Sequence, residues 1–327
     1  MAHFQEYSSG IEIREHSKMS AIHVVVGSGT VGTHLAKSLG ETGESIFLLA
    51  RTTNPAELKN VKRIQADAAS FSSLITAAPK ADYIYNCVNP PYNKWEEQWP
   101  PINQALIALA KKTGAVLVTC SNLYGYGPHK SVLTEDLPLN ATWKNGRVRA
   151  DMWLKLKELH DAGEIRATEV RGSDYIAASD QSRMGDRVVP RLKEGKAVQL
   201  LGELDKLHTW TDPEDVAHLM MVVAKEEIAW GKPWHVPSNG PMTQRHVIRD
   251  IALELGVQDP KVSSVPSLLE KLLGTFNPVI RELRNTAYQF NQPFIMSDER
   301  ARKAFDLKPK PWKTVIRDLV TQYQKTN

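Results

Sequence analysis

The hexapeptide Gly27-Ser28-Gly29-Thr30-Val31-Gly32 follows the apolar run Ile22–Val26 and opens a helix-like stretch. At a strand-to-helix turn this spacing suits a pyrophosphate. Gly27 permits the tight turn, Gly29 leaves no Cβ in the way of the phosphates, and Gly32 lets the helix lie close to the strand. Free N–H groups from Thr30 and Val31, with the positive end of the helix dipole, would hold the charge. The second apolar run, Ser45–Ala50, leads into Arg51-Thr52-Thr53, where an enzyme using NAD usually carries an acidic residue for the ribose hydroxyls. A guanidinium in that place favours the extra 2′-phosphate of NADP(H), with Thr52 or Thr53 assisting; NAD(H) is the alternative.

The elements that would position these residues alternate through the first half. Strands are expected at Ile22–Val26, Ser45–Ala50, Val61–Gln65, Tyr83–Cys87, Ala115–Thr119 and Ile165–Arg171. Helices are expected at Val31–Glu41, Phe71–Ala78, Ile102–Lys112, opened by Pro100 and Pro101, and Arg147–Asp161. Near-continuous apolar strands separated by helices predict an α/β, Rossmann-type doubly wound parallel sheet. Residues 19–171 are read as the dinucleotide-binding domain and 172–327 as mainly a smaller C-terminal substrate lobe, with segments returning to the sheet. In that lobe helices are expected at Arg187–Glu194, Pro213–Lys225, Thr243–Leu255, Pro266–Leu273, Pro278–Tyr288, Asp298–Phe305 and Trp312–Gln324. Short strands are expected at Ala197–Leu201, Leu207–Thr211 and Pro233–Val236.

Composition narrows the function classes. The chain has 327 residues and a net charge of +4 with the signs interspersed, which does not suggest a nucleic-acid protein. No apolar run approaches a membrane span, and the polar residues 1–18 form no secretory signal; they are read as a disordered leader. The two cysteines, Cys87 and Cys120, end expected buried strands, which argues against a disulfide framework and for a cytoplasmic setting. Ten histidines show no His-x-x-x-His or Cys-x-x-Cys spacing, so no metal site is expected.

With these residues in view, the chain resembles the extended short-chain dehydrogenase/reductase superfamily, in its NAD-dependent epimerase/dehydratase branch. The resemblance rests on Gly27–Gly32, Asp67-Ala68, Tyr83–Asn89, Thr119–Gly125 and Thr209–Ala217, in that order along the chain. It implies that Asp67 and Ala68 lie beside the adenine and that Val88 and Asn89 pass the nicotinamide-side ribose. It also implies that the segment Arg171–Tyr175, including Ser173, passes the carboxamide.

The same resemblance implies a Tyr-x-x-x-Lys pair and a strand-end Ser or Thr, the phenol exchanging a proton as hydride moves. Counting from Tyr124-Gly125 places the pair at Asn145 and Arg149, and the hydroxyl position at Cys120 with Ser121 beside it. Arg149 can supply charge and hold a ribose, whereas an amide at Asn145 cannot act as a titrating acid. The chain is thus identified as an atypical member, with three readings open. Another group, Tyr124, Tyr126 or Tyr175, supplies the proton; or hydride reaches a conjugated or iminium substrate that needs little acid catalysis; or the site is silent and NADP(H) is sensed as a signal.

The expected partner is a small apolar carbonyl, enone or iminium substrate, with Ser121 or Tyr175 touching it, and a homodimer is expected. A sugar-nucleotide epimerase or dehydratase is a further alternative, made less attractive because His208 stands where an arginine for the substrate pyrophosphate is usual. Trp143, Trp153, Trp210 and Trp234 are candidates for an apolar pocket wall.

Overall fold

Seven parallel strands form the central sheet, in the order β10-β6-β5-β4-β1-β2-β3. They are β1 (Ile22–Val26), β2 (Ser45–Ala50), β3 (Val61–Gln65), β4 (Tyr83–Asn86), β5 (Val116–Asn122), β6 (Arg166–Gly172) and β10 (Pro233–His235). The computed structural model describes residues 20–52, 57–179, 182–265 and 284–325. The expected leader, Thr53, the helix Pro266–Leu273 and the first part of Pro278–Tyr288 lie outside the described residues.

Both faces of the sheet are covered, which is why its strands read as apolar runs rather than alternating ones. On one face Val24, Ile84, Leu117 and Ala167 pack under α2 (Phe71–Ala77), α3 (Trp95–Thr113) and α4 (Lys144–Asp161). On the other, Val25, Tyr85, Val118 and Val170 pack under α1 (Thr30–Gly40) and α6 (Pro213–Lys225). The order of the strands reverses between β1 and β4, so the carboxyl ends of these two strands flank the crevice where ligands bind in such sheets.

A separate apolar cluster gathers Val189 and Leu192 of α5 (Val189–Lys193), Val247 and Ile251 of α7 (Gln244–Glu254), and Leu319 of the terminal helix Trp312–Lys325. Two short parallel pairs complete the described strands: β7 (Asp174–Tyr175) with β9 (Trp210–Thr211), and β8 (Val198–Leu200) with β11 (Val262–Ser264). Among the described residues no helix is long and apolar enough to cross a membrane.

Two expectations need correction. The strand expected over Leu207–Thr211 shrinks to Trp210–Thr211, because the His208 backbone bridges Met242 and Phe294 instead. And α3 does not open at Pro100; it begins at Trp95, with both prolines inside it. Pro100 and Pro101 have no N–H for the carbonyls of Glu96 and Glu97, but those residues are exposed and water can take the bonds. The extra turn buries Trp95 and Trp99, and the Trp95 indole donates to the Pro90 carbonyl at 3.0 Å.

Candidate functional site

The glycine turn shows two of the constraints its spacing implies, at Gly27 and Gly32, and leaves the third position open. Gly27 has φ +106°, and a Cβ there would lie 2.6 Å from the Cys87 carbonyl group. A Cβ on Gly32 would run into the Gly27 carbonyl oxygen and reach 3.1 Å from the Cys87 Cβ, so the helix can lie this close to β4 only with glycine. Gly29 differs: a Cβ there would meet nothing within 4 Å, so the space above it is open to a ligand. The turn is anchored by Gly27 N–H donating to the Leu49 carbonyl at 2.8 Å and by the Thr33 hydroxyl donating to the Ser28 carbonyl at 3.1 Å. No side chain caps the start of α1 and no acidic residue stands in its first turn. The N–H groups at Thr30 and Val31 therefore have no side-chain cap and no first-turn carboxylate beside them, and this arrangement fits a dinucleotide pyrophosphate.

Arg51 and Thr52 follow directly on β2 and are exposed, with the Arg51 carbonyl held by the Gln65 side chain at 3.1 Å. Asp67 is exposed at the end of β3; its Oδ1 accepts from Ala69 N–H at 3.0 Å. The cap of the following helix is Ser70, which accepts from Ser73 N–H, so Asp67 is not needed for that role. After β4, Val88 N–H donates to Asn86 Oδ1 at 3.2 Å. Asn86 is buried and its amide nitrogen has no partner among the described residues. Asn86 escaped the sequence reading because a single Asn inside an apolar strand carries no spacing signal.

At the other end of the crevice β5, α4 and the segment after β6 converge. Arg149 is only 7% exposed; its guanidinium lies 4.6 Å from the Trp99 ring and donates to the Cys120 carbonyl at 2.9 Å. Burial lowers its pKa, with the charge of Glu169 acting the other way. Its Nε has no partner. Tyr175 reaches the same point, its hydroxyl 3.5 Å from Cys120 Sγ. Gly172 makes room for that ring: a Cβ there would sit 3.0 Å from Tyr175 Cε1. Asn145 is buried and donates to the Tyr92 carbonyl at 3.0 Å, tying the first turn of α4 to the segment after β4. In this position it is a strut, consistent with an amide that cannot exchange a proton. Ser121 is buried in β5 beside Arg171 of β6.

Tyr126 is not available as a proton donor. It is 1% exposed, and its hydroxyl accepts from Arg171 at 2.6 Å and pairs with His235 Nε2 at 2.7 Å. Trp153, Trp210 and Trp234 are likewise buried in the cores, and only Trp143 of the four stands part-exposed. Its ring lies 5.2 Å from that of Tyr124, which in turn lies 6.2 Å from Tyr92 and 5.9 Å from Trp95. Burial pushes the phenols of Tyr92, Tyr124 and Tyr175 upward, so all three stay protonated near neutral pH.

His208 is buried. Its ring stacks on Phe290 at 4.5 Å, Nδ1 faces the Gln289 carbonyl at 3.1 Å, and Nε2 meets Asp174 Oδ2 at 2.9 Å. Ser173 Oγ lies 3.5 Å from the same Nε2, so Ser173, His208 and Asp174 do not form a relay with a different partner on each ring nitrogen. Asp174 was not singled out by itself in the sequence. Burial works against its charge, but the bond from His208 and the charges of His208 and Arg183 outweigh it and hold its pKa low.

With this geometry in hand, the comparisons with known proteins can be set beside it. The model of the NAD dependent epimerase/dehydratase family matches residues 22–236. Among solved structures, a dTDP-glucose 4,6-dehydratase from Bacillus anthracis in complex with NAD superposes with a TM-score of 0.75 at 16% identity, covering 94% of this chain and 98% of that one. A UDP-glucose 4-epimerase from Thermotoga maritima with UDP-glucose gives 0.76 at 12% identity over 93% and 99%. A dTDP-glucose 4,6-dehydratase from Streptomyces venezuelae with NAD and TYD bound gives 0.74 at 15% identity over 93% and 97%. No curated protein matches the chain. Identities this low establish a shared fold and leave the substrate open.

Proposed function

The chain belongs to the NAD-dependent epimerase/dehydratase family, and from that premise we propose that it is an NADP(H)-dependent oxidoreductase acting on a small organic substrate without the Tyr-x-x-x-Lys pair. One observation carries the reading. The glycine turn is open at Gly29, the start of α1 is uncapped, and an exposed Arg51 ends β2 where a carboxylate would repel a 2′-phosphate. A bound dinucleotide would supply or accept hydride at its nicotinamide. Gly27–Gly32 would hold its pyrophosphate, Arg51 and Thr52 its ribose phosphate, Asp67 and Ala68 its adenine, and Val88, Asn89 and Ser173 its nicotinamide half.

Toward the substrate, this chain's residues orient more than they titrate. Asn145 is committed to the Tyr92 carbonyl, and the raised phenols of Tyr124 and Tyr175 donate hydrogen bonds without losing protons. Arg149 sets the end of β5 through the Cys120 carbonyl and lends positive charge to the region. The three solved structures named above are two dTDP-glucose 4,6-dehydratases and a UDP-glucose 4-epimerase. Here His208 is stacked inside aromatic rings and paired with Asp174, so it is poorly placed to hold a substrate pyrophosphate. A small molecule without phosphate fits better. The cytoplasmic setting and the homodimer expected from the sequence remain part of this proposal.

Coenzyme titration tests it. NADPH should bind the purified chain more tightly than NADH, and Arg51→Glu should weaken NADPH by about ten-fold or more while changing NADH little, the scale of one charge-assisted contact. Tighter binding of NADH by the native chain would reverse the coenzyme assignment. Uptake of neither would remove the function.

A further inference from the structure

Four part-exposed aromatic side chains gather beside one carboxylate at the substrate end of the crevice. Tyr92 and Tyr124 meet edge to face at 6.2 Å, and Trp143 packs on Tyr124 at 5.2 Å. Tyr288, from a distant part of the chain, brings its phenol to the Trp143 indole. Among the described residues, the hydroxyls of Tyr92 and Tyr288 and the indole nitrogen of Trp143 have no well-formed hydrogen bond. Asp174 is the carboxylate: 24% exposed and bound to His208 through Oδ2, the His208 ring stacking on Phe294 at 5.4 Å and Phe294 meeting Tyr288 edge to face at 5.9 Å.

Such a group of residues is complementary to positive charge. Ring faces attract a cation through their quadrupoles, and a carboxylate kept ionised adds a direct Coulombic attraction. Arg183 and His208, beside Asp174, and Arg149, whose charge acts on Tyr124, offset that carboxylate in part, but each is turned to other partners, Arg149 to the Trp99 ring and the Cys120 carbonyl. The Arg183 guanidinium lies 3.5 Å from the Phe290 ring centroid and donates to Gln244, while His208 is enclosed by Phe290 and Phe294.

We infer that Tyr92, Tyr124, Trp143 and Tyr288, with Asp174, bind a small organic cation, and that the substrate class is the iminium. The inference rests on the proposed hydride-transfer function and explains the oddest feature of the site. Hydride addition to an iminium carbon sends the C=N π pair to nitrogen as a lone pair and yields a neutral amine. The substrate is reduced by two electrons, the reduced nicotinamide of the proposed function is the co-reactant oxidised, and no proton is consumed. A site whose acid position holds Asn145 loses nothing on such a substrate, whereas on a ketone the missing acid costs on the order of 10²–10⁴ in rate.

The test is equilibrium binding to the full chain, with and without NADPH, read by quenching of tryptophan fluorescence. The probes are an N-methyl dihydroisoquinolinium and the neutral carbocycle of the same shape. The cation should bind at least about ten-fold more tightly, in line with a desolvated cation–π contact reinforced by a carboxylate. Asp174→Asn should remove most of that preference. Because loss of the His208 pair could unfold that variant, Tyr288→Leu provides a second reading and should lower cation affinity several-fold. Equal binding of the two probes by the native chain, or no binding of the cation, overturns the inference; intact NADPH uptake in the same experiment would leave the hydride-transfer function standing. Failure of NADPH itself to bind would instead remove the function on which the inference depends.

Discussion

Gly29 and Gly32 stand three residues apart in different surroundings, one in open space and the other packed against the fold. A methyl group on Gly29 meets nothing in the chain, and its φ of −71° suits alanine. Gly29→Ala should therefore keep its melting temperature and lose coenzyme affinity by about ten-fold or more, since the added Cβ occupies the place of the phosphates. Gly32→Ala should do the reverse in kind: its Cβ collides with backbone, and the chain should be destabilised by at least ~2 kcal/mol, as for other overpacked positions. Thermal melts with and without NADPH separate the two. A Gly29→Ala protein that binds NADPH normally would show that no pyrophosphate lies over that turn. The close packing at Gly32 was readable from the sequence because the glycine spacing at a strand-to-helix turn demands it. The pairing of Asp174 with His208 was not, because it joins residues 34 positions apart through a short strand pair with no periodic signal.

At the scale of elements, strands and helices of the sheet were legible because each is a near-continuous apolar run or an amphipathic repeat. Ends were harder. The start of α3 was misplaced at Pro100 because proline is at home in a first turn; what moved the start back to Trp95 is burial of two indoles, a tertiary gain invisible to local rules. The start of α2 shows the same ambiguity with a functional consequence. Asp67 and Ser70 both precede the helix, and either residue type can cap it. The structure gives the bond to Ser70, whose hydroxyl accepts from Ser73 N–H, and leaves Asp67 holding only an exposed turn. Ser70→Ala should cost about 1 kcal/mol in chemical denaturation. Asp67→Ala should cost clearly less, yet weaken coenzyme binding if the carboxylate serves the adenine. Equal loss of stability in both variants would return Asp67 to a purely structural role.

Across the whole molecule, a buried histidine and a half-buried carboxylate make stability depend on pH with opposite signs. His235, at the end of β10, is clamped between the C-terminal segment and the sheet. Its Nδ1 donates to the Ser297 carbonyl at 2.7 Å, and Nε2 accepts from Tyr126, whose own oxygen takes the Arg171 hydrogen. Burial, with the Arg171 charge nearby, lowers its pKa to about 3. Between that value and the unfolded value of about 6.5 only the unfolded chain takes the proton, so stability falls as pH falls, by up to ~1.4 kcal/mol per pH unit.

Asp215, in α6, behaves oppositely. Burial raises its pKa to about 7, although its carboxylate accepts from Lys310 N–H at 3.0 Å. Here the folded chain holds the proton between about 3.8 and 7, so stability is lost as pH rises through that window. From pH 7 down to pH 5 the two slopes oppose each other, and the native chain should show a shallow pH profile in urea denaturation. Asp215→Asn removes one of them. The variant should gain stability above pH 7, where the native carboxylate is charged, and its urea midpoint should then fall more steeply than the native one as pH drops from 7 to 5. A variant profile parallel to the native profile would mean that Asp215 is already ionised in the fold and that the acid-side loss has another source.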